Sequence, residues 1–199
     1  MDKNPTLRAL SGMVDSPKPL RESALILIDC QNTYRQGVLK LEGVEEALAE
    51  AQRLLQRART LGVPVIHIAH DAGPGSPYDV RAEIGQIASV VAPQGDEPVL
   101  IKNYPSSFEK TDLDARLKSL GVKHLVLAGF MTHMCVNSTA RAAFNHGYGA
   151  TVVASATATR ALPGPTGTLL PAQVVHEAAL AALGDLPAVI VGHERDISS

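Results

Sequence analysis

A chain of 199 residues, 45% hydrophobic and 19% charged, is long enough for one domain with a sizeable core. A net charge of −2 leaves no basic excess, which argues against nucleic acid and against an anionic membrane surface as partners. No window approaches the roughly 20 apolar residues of a membrane span. Met1 to Leu20 is polar and contains prolines but no apolar signal core, so residues 1–22 read as a loosely held arm on a cytoplasmic protein whose domain spans 23–199.

Ala24 to Ile28 is a continuous apolar run ending in Asp29, which fits a strand buried on both faces. After Gly43, apolar residues from Val44 to Leu61 recur at three- and four-residue steps and predict a helix, closed by Gly62 and Pro64. Val65 to Ala69 is a second strand, completing a βαβ unit. Ala72 to Gly95, rich in Gly and Pro, reads as a long and weakly structured connection of the kind that rims a pocket. Val99 to Ile101 is a short third strand ending in Lys102. A helix over Leu113–Leu120 follows, capped by Thr111 or Asp112 and stopped by Gly121. Leu125 to Ala128 is the fourth strand. It breaks at Gly129, turns, and enters a helix from about His133 to His146 that carries Cys135 on its first turn. Thr151 to Ala154 is a fifth strand. Pro163 to Pro171 is a loop, Ala172 to Leu183 a helix, and Ala188 to Val191 a sixth strand.

Strands alternating with helices predict an α/β fold: a six-stranded parallel sheet with helices on both faces. Ligands in such sheets sit beyond the carboxyl ends of the strands. For the order 3-2-1-4-5-6, Asp29, Lys102 and Cys135 converge on one crevice. A strand feeding a helix N-terminus, with an ammonium nearby, favours a thiolate, which is the nucleophilic form of cysteine. A carboxylate beside it can take and return the proton. Such a set suits attack on a carbonyl carbon, departure of an amine and hydrolysis of the thioester, with backbone N–H groups of the turn holding the oxyanion.

The other candidates are blander. Cys30, next to Asp29 in a strand, should point to the opposite side and is read as structural. The two cysteines make no disulfide framework and no zinc pair. His67 and His70, three apart in a strand, face opposite sides and do not chelate jointly. His67 is read as packed in the sheet and His70 as bordering the pocket, while His124, His146, His176 and His193 lack ligand spacing. No dinucleotide or P-loop glycine motif is present.

Three segments carry a resemblance: LILIDCQNTY around Asp29, IKNYPSSF around Lys102, and LAGFMTHMCVNSTARAAFNHGY around Cys135. In this order they resemble the isochorismatase-like cysteine hydrolases from about Ala24 to Val191. The resemblance implies a Rossmann-like three-layer sandwich, an Asp29, Lys102, Cys135 triad, and a cis peptide before Met131. It further implies an oxyanion hole from the Met131 and Cys135 N–H groups and a pocket lined by Gln31, Tyr34, His70, Phe108, Thr132 and His133. Members are usually homodimers or larger, here expected as a homodimer or homotetramer acting on a small molecule. Nicotinamidase-type members carry an Asp-x-His segment and a further His that bind a metal. The matching HIAHDAGPGSPYD lacks that second histidine, so no metal or other cofactor is expected. Ser155, within ASATAT, stands where many relatives have Asp.

The leading expectation is a C–N hydrolase cleaving an amide or ureido bond through a thioester. An isochorismatase-type vinyl ether hydrolase, with Asp29 as acid and the thiol incidental, is the alternative. A non-catalytic binding protein and a redox sensor at Cys135 are the readings from other classes.

Overall fold

The computed structural model describes residues 4–199. Six strands form one sheet in the order β3-β2-β1-β4-β5-β8, every neighbouring pair parallel: β1 (Ser23–Ile28), β2 (Val65–His70), β3 (Val99–Lys102), β4 (His124–Phe130), β5 (Gly149–Ala158) and β8 (Val189–Val191). The expected 3-2-1-4-5-6 order is this one. The last strand becomes the eighth because a two-stranded hairpin, β6 (Leu162–Pro163) with β7 (Leu169–Leu170), interrupts the loop read as irregular.

The sheet divides the core in two. Ala24 to Ile28 are all fully buried, as a run without alternation requires when both faces are covered. Leu25 and Leu27 pack with Leu48, Leu54 and Leu55 of helix α2 (Val44–Thr60). Ala24, Ile26 and Ile28 pack on the other side. There they meet Leu117 of α3 (Leu113–Ser119), Ala140 and Ala143 of α4 (Asn137–Asn145), and Leu180 and Leu183 of α5 (Ala172–Gly184). Each buried leucine contributes about 2 kcal/mol. Helix α2 starts at left-handed Gly43, with Glu45 and Glu46 in its first turn and Arg57 and Arg59 in its last, each complementing the helix dipole.

Glu97 ties three segments together. Its carboxylate accepts two hydrogen bonds from Arg59 of α2 at 2.7 Å, one from the Gln94 N–H at 2.9 Å, and meets His67 Nε2 of β2 at 3.0 Å. His67 is thus packed in the sheet, as expected. The Arg59 guanidinium, ahead of the other contacts, draws the Glu97 pKa down to about 2 from 4.5. A depressed carboxyl adds stability above its unfolded pKa and loses it as pH falls through the folded value. The urea midpoint of Glu97→Gln should therefore lie well below that of the wild type at pH 7. That gap should close as pH falls from about 4.5 toward 2; a gap constant with pH would contradict it.

Several elements depart from the sequence reading. The segment read as a loose arm is tied down: Arg8 of the short helix α1 (Leu7–Leu10) is buried and donates to Leu186 O and Val14 O, both at 2.7 Å, and its N–H reaches Asp185 O. Met1 to Lys3 lie outside the described residues. Strand β4 does not break at Gly129 but runs on to Phe130, and β5 extends four residues past Ala154 through a register shift. A π-helical turn, Thr132–Val136, precedes α4, so the predicted single helix is two elements. The 72–95 connection is pinned by two 3-10 turns, Glu83–Gly85 and Ser89–Val91, and by a bridge from Ile87 to Gln31. Asp112 is the residue before α3, but its side chain pairs with Arg116, and it is Thr111 Oγ1 that accepts the Leu113 N–H.

Candidate active site

Three strand ends deliver the side chains. Strand β1 stops at Ile28 because Asp29 takes a left-handed backbone, φ +49°, which Asp tolerates better than most residues. Its N–H still donates to Ile68 O at 3.0 Å, so the chain turns without leaving β2. On edge strand β3 the side chains alternate outward and inward, and Leu100 and Lys102 face in. Cys135 sits on the π turn that leaves β4, where the Val136 N–H reaches back to Met131 O.

Lys102 Nζ lies 2.7 Å from Asp29 Oδ2 and 3.4 Å from Cys135 Sγ, with both Asp29 and Lys102 essentially inaccessible to solvent. Neither carboxylate oxygen has a partner in good hydrogen-bond geometry, so both keep the capacity to accept a proton. The acid, amine and sulfur drawn from three distant segments therefore meet.

Burial sets their charge states. It raises the Asp29 pKa, an effect that Lys102 opposes. It also pushes the Cys135 thiol up to about 12; the Asp29 charge adds to the rise and Lys102 works against it. This amends the sequence reading, in which the helix N-terminus and ammonium favour a resting thiolate. Desolvation outweighs both, so burial favours the thiol over the thiolate and makes the Asp29 carboxylate more basic than a solvated one. Moving the proton from sulfur to Asp29 keeps the net charge of the trio unchanged, which is the one ionisation a dry site permits cheaply.

Cys30 is buried among the α2-side residues and Cys135 among those of the opposite face, and burial raises the Cys30 pKa even further. The Phe130–Met131 peptide is cis.

The residues expected to line a pocket divide into two groups. His70, Phe108 and His133 are half-buried; Phe108 stacks on His146 at 4.9 Å and His133 Nδ1 meets Thr159 Oγ1. Gln31, Tyr34 and Thr132 are fully buried and already engaged. Thr132 Oγ1 meets His176 Nδ1 at 3.0 Å, and the Tyr34 hydroxyl meets that of Tyr78 at 3.3 Å. The Gln31 amide also acts as a clamp: its oxygen accepts the His70 N–H and its nitrogen donates to His70 O, both at 2.9 Å, and to Gly85 O, which engages both of its donors. Tyr78, overlooked in the sequence, crosses from the long connection to meet the His70 ring edge-on at 4.9 Å. Only its place in that connection could have drawn attention to it.

The isochorismatase domain profile matches residues 23–192. The chain belongs to the isochorismatase family. A crystal structure of an isochorismatase from Pseudomonas putida KT2440 superposes with a TM-score of 0.91, at 37% identity over 94% of this chain and 96% of that one. The secreted isochorismatase effector Isc1 of Verticillium dahliae is 31% identical over 97% of this chain and 99% of its own length. The ureidoacrylate amidohydrolase RutB of Variovorax paradoxus is 30% identical over 71% and 72%. This isochorismatase-family chain is a hydrolase with the family's α/β fold. No helix among its described residues is long and apolar enough to cross a membrane.

Proposed function

We propose that this hydrolase cleaves a C–N bond of a small amide or ureido compound through a thioester on Cys135. The observation that carries the reading is the buried Lys102 ammonium, 2.7 Å from Asp29 and 3.4 Å from Cys135 Sγ. Asp29 takes the thiol proton as sulfur attacks the carbonyl carbon, and Lys102 holds the negative charge wherever it moves. The tetrahedral oxyanion is held by the Met131 and Cys135 N–H groups at the head of the π turn. Asp29 returns its proton to the departing nitrogen. It then accepts one from water attacking the thioester, and gives that proton back to sulfur as the acid product leaves. His70 borders the site, with its Nδ1 3.2 Å from the Lys102 ammonium. The amidohydrolase activity named for RutB supports this choice of bond. Two free cysteines on opposite faces of the sheet support a cytoplasmic location.

Rapid quenching during turnover of ureido and primary amide substrates, followed by intact and peptide mass spectrometry, tests the reading. An acyl adduct on the Cys135 peptide is expected. Turnover of isochorismate, undiminished in Cys135→Ala and with no adduct, would overturn it in favour of vinyl ether cleavage with Asp29 as acid.

A further inference from the structure

The Lys102 ammonium is buried and carries three N–H donors. One faces Cys135 Sγ at 3.4 Å, while Asp29 Oδ2 stands 2.7 Å away as the counter-charge. Another faces His70 Nδ1 at 3.2 Å. An ammonium has no lone pair, so Nδ1 must be the acceptor and the imidazole proton must sit on Nε2. Burial, with Lys102 adding to it, lowers the His70 pKa to about 4, which keeps the ring neutral and able to accept at pH 7.

The ring is held where this contact needs it. His70 is in register with Lys102 across the β2–β3 ladder. The Gln31 amide grips the His70 main chain on both its N–H and its C=O. Tyr78 packs edge-on against the imidazole, at an interplanar angle of 71°. A side chain that only brushed the substrate would not need its main chain clamped by a fully buried glutamine.

We propose that His70 is a positioning residue of the reaction, accepting an N–H of Lys102 so that the ammonium stays aimed at Asp29 and the Cys135 sulfur. This rests on the triad reading above. Deprived of that acceptor, the buried ammonium must leave one N–H unsatisfied, swing toward water, or lose its proton, and each course removes counter-charge from the forming thiolate. The charged and titratable groups around the imidazole are Lys102 on β3, the adjacent Asp71 with its partner Arg81, Tyr78 from the connection, and Asp29 and Cys135 beyond the ammonium.

Iodoacetamide labelling of Cys135 between pH 7 and 10, without substrate, tests the assignment. Asparagine places an acceptor oxygen near the Nδ1 position, glutamine near Nε2, and phenylalanine keeps the packing on Tyr78 but accepts nothing. His70→Asn should label within about twofold of wild type. His70→Phe and His70→Gln should label at least about tenfold more slowly at pH 8, equivalent to raising the thiol pKa by one unit. During turnover the same two should lose kcat with little change in KM, whereas loss of a substrate contact would raise KM. Wild-type labelling rates in His70→Phe, or His70→Asn as slow as His70→Phe, would overturn the proposal. If His70→Phe does not fold, His70→Gln decides. Wild-type protein whose Cys135 labels no faster than Cys30 would instead refute the triad itself, and with it this role for His70.

Discussion

Asp29→Asn should lose about 10²- to 10⁴-fold in turnover, the range for removing a general acid–base, while its Cys135 becomes more reactive toward iodoacetamide. The two effects separate because Asp29 plays two parts. Its negative charge helps burial hold the thiol at about 12, and its free oxygens are the acceptor for the thiol proton. Asparagine removes the repulsion, so the thiolate pairs with Lys102 alone and forms at lower pH. The leaving nitrogen, however, now has no acid. Lys102→Met should move both readouts down, because the ammonium is what opposes the rise. It should also cost about 3 to 5 kcal/mol of stability, since a buried carboxylate is left unpaired; Asp29 recovers part of that by protonating. The labelling rates of the two variants, measured against pH, should therefore diverge on either side of wild type. If both variants label more slowly than wild type, the assignment of opposite electrostatic roles to Asp29 and Lys102 is wrong.

What the sequence made legible is what depends on local pattern. The unbroken apolar runs ending at Asp29 and Lys102 mark two strand ends, and the alternation of strands with helices gives a parallel sheet, whose supposed 3-2-1-4-5-6 order brings them to Cys135. The state of the sulfur was not legible, because it turns on how completely three side chains leave water, and residue spacing does not report that. The clamp made by Gln31 was hidden for a related reason: its amide donors go to groups 39 and 54 positions away, which only the fold brings near. The tail of β5 was missed because Ser155 and Thr157 break the apolar run. Both nonetheless lie in the strand, and Thr157 and Ala158 pair with Gly129 and Phe130 after the register shift. The N-terminal segment looked loose because its anchor, buried Arg8 against Leu186, is a charged residue that pattern reading assigns to solvent.

Gly129→Ala should cost about 2 to 5 kcal/mol, the sum of an overpacking and a left-handed backbone penalty. Gly129 has φ +117°, and a Cβ built on it would stand 1.9 Å from Ile28 O, 2.7 Å from Ile28 C and 2.8 Å from Ile28 N. All three are main-chain atoms of the neighbouring strand, so no side chain can swing aside. Overpacking of about 1 to 3 kcal/mol is compounded by a left-handed penalty of about 1 to 2 kcal/mol. The strand that has to yield is β1, at the residue directly before Asp29, and Ile28 pairs with Gly129 one step before the chain reaches Phe130 and Met131. A displaced β1 would therefore pull Asp29 away from Cys135 even in molecules that fold. Gly121→Ala is the control: φ is +69°, but nothing lies within 4 Å of its Cβ, so only the backbone term of about 1 to 2 kcal/mol applies. Urea midpoints of the two variants should differ widely. Gly129→Ala unfolding at the midpoint of Gly121→Ala would mean that β1 can shift freely, and that the registration of Asp29 against Cys135 is held by something other than this close approach.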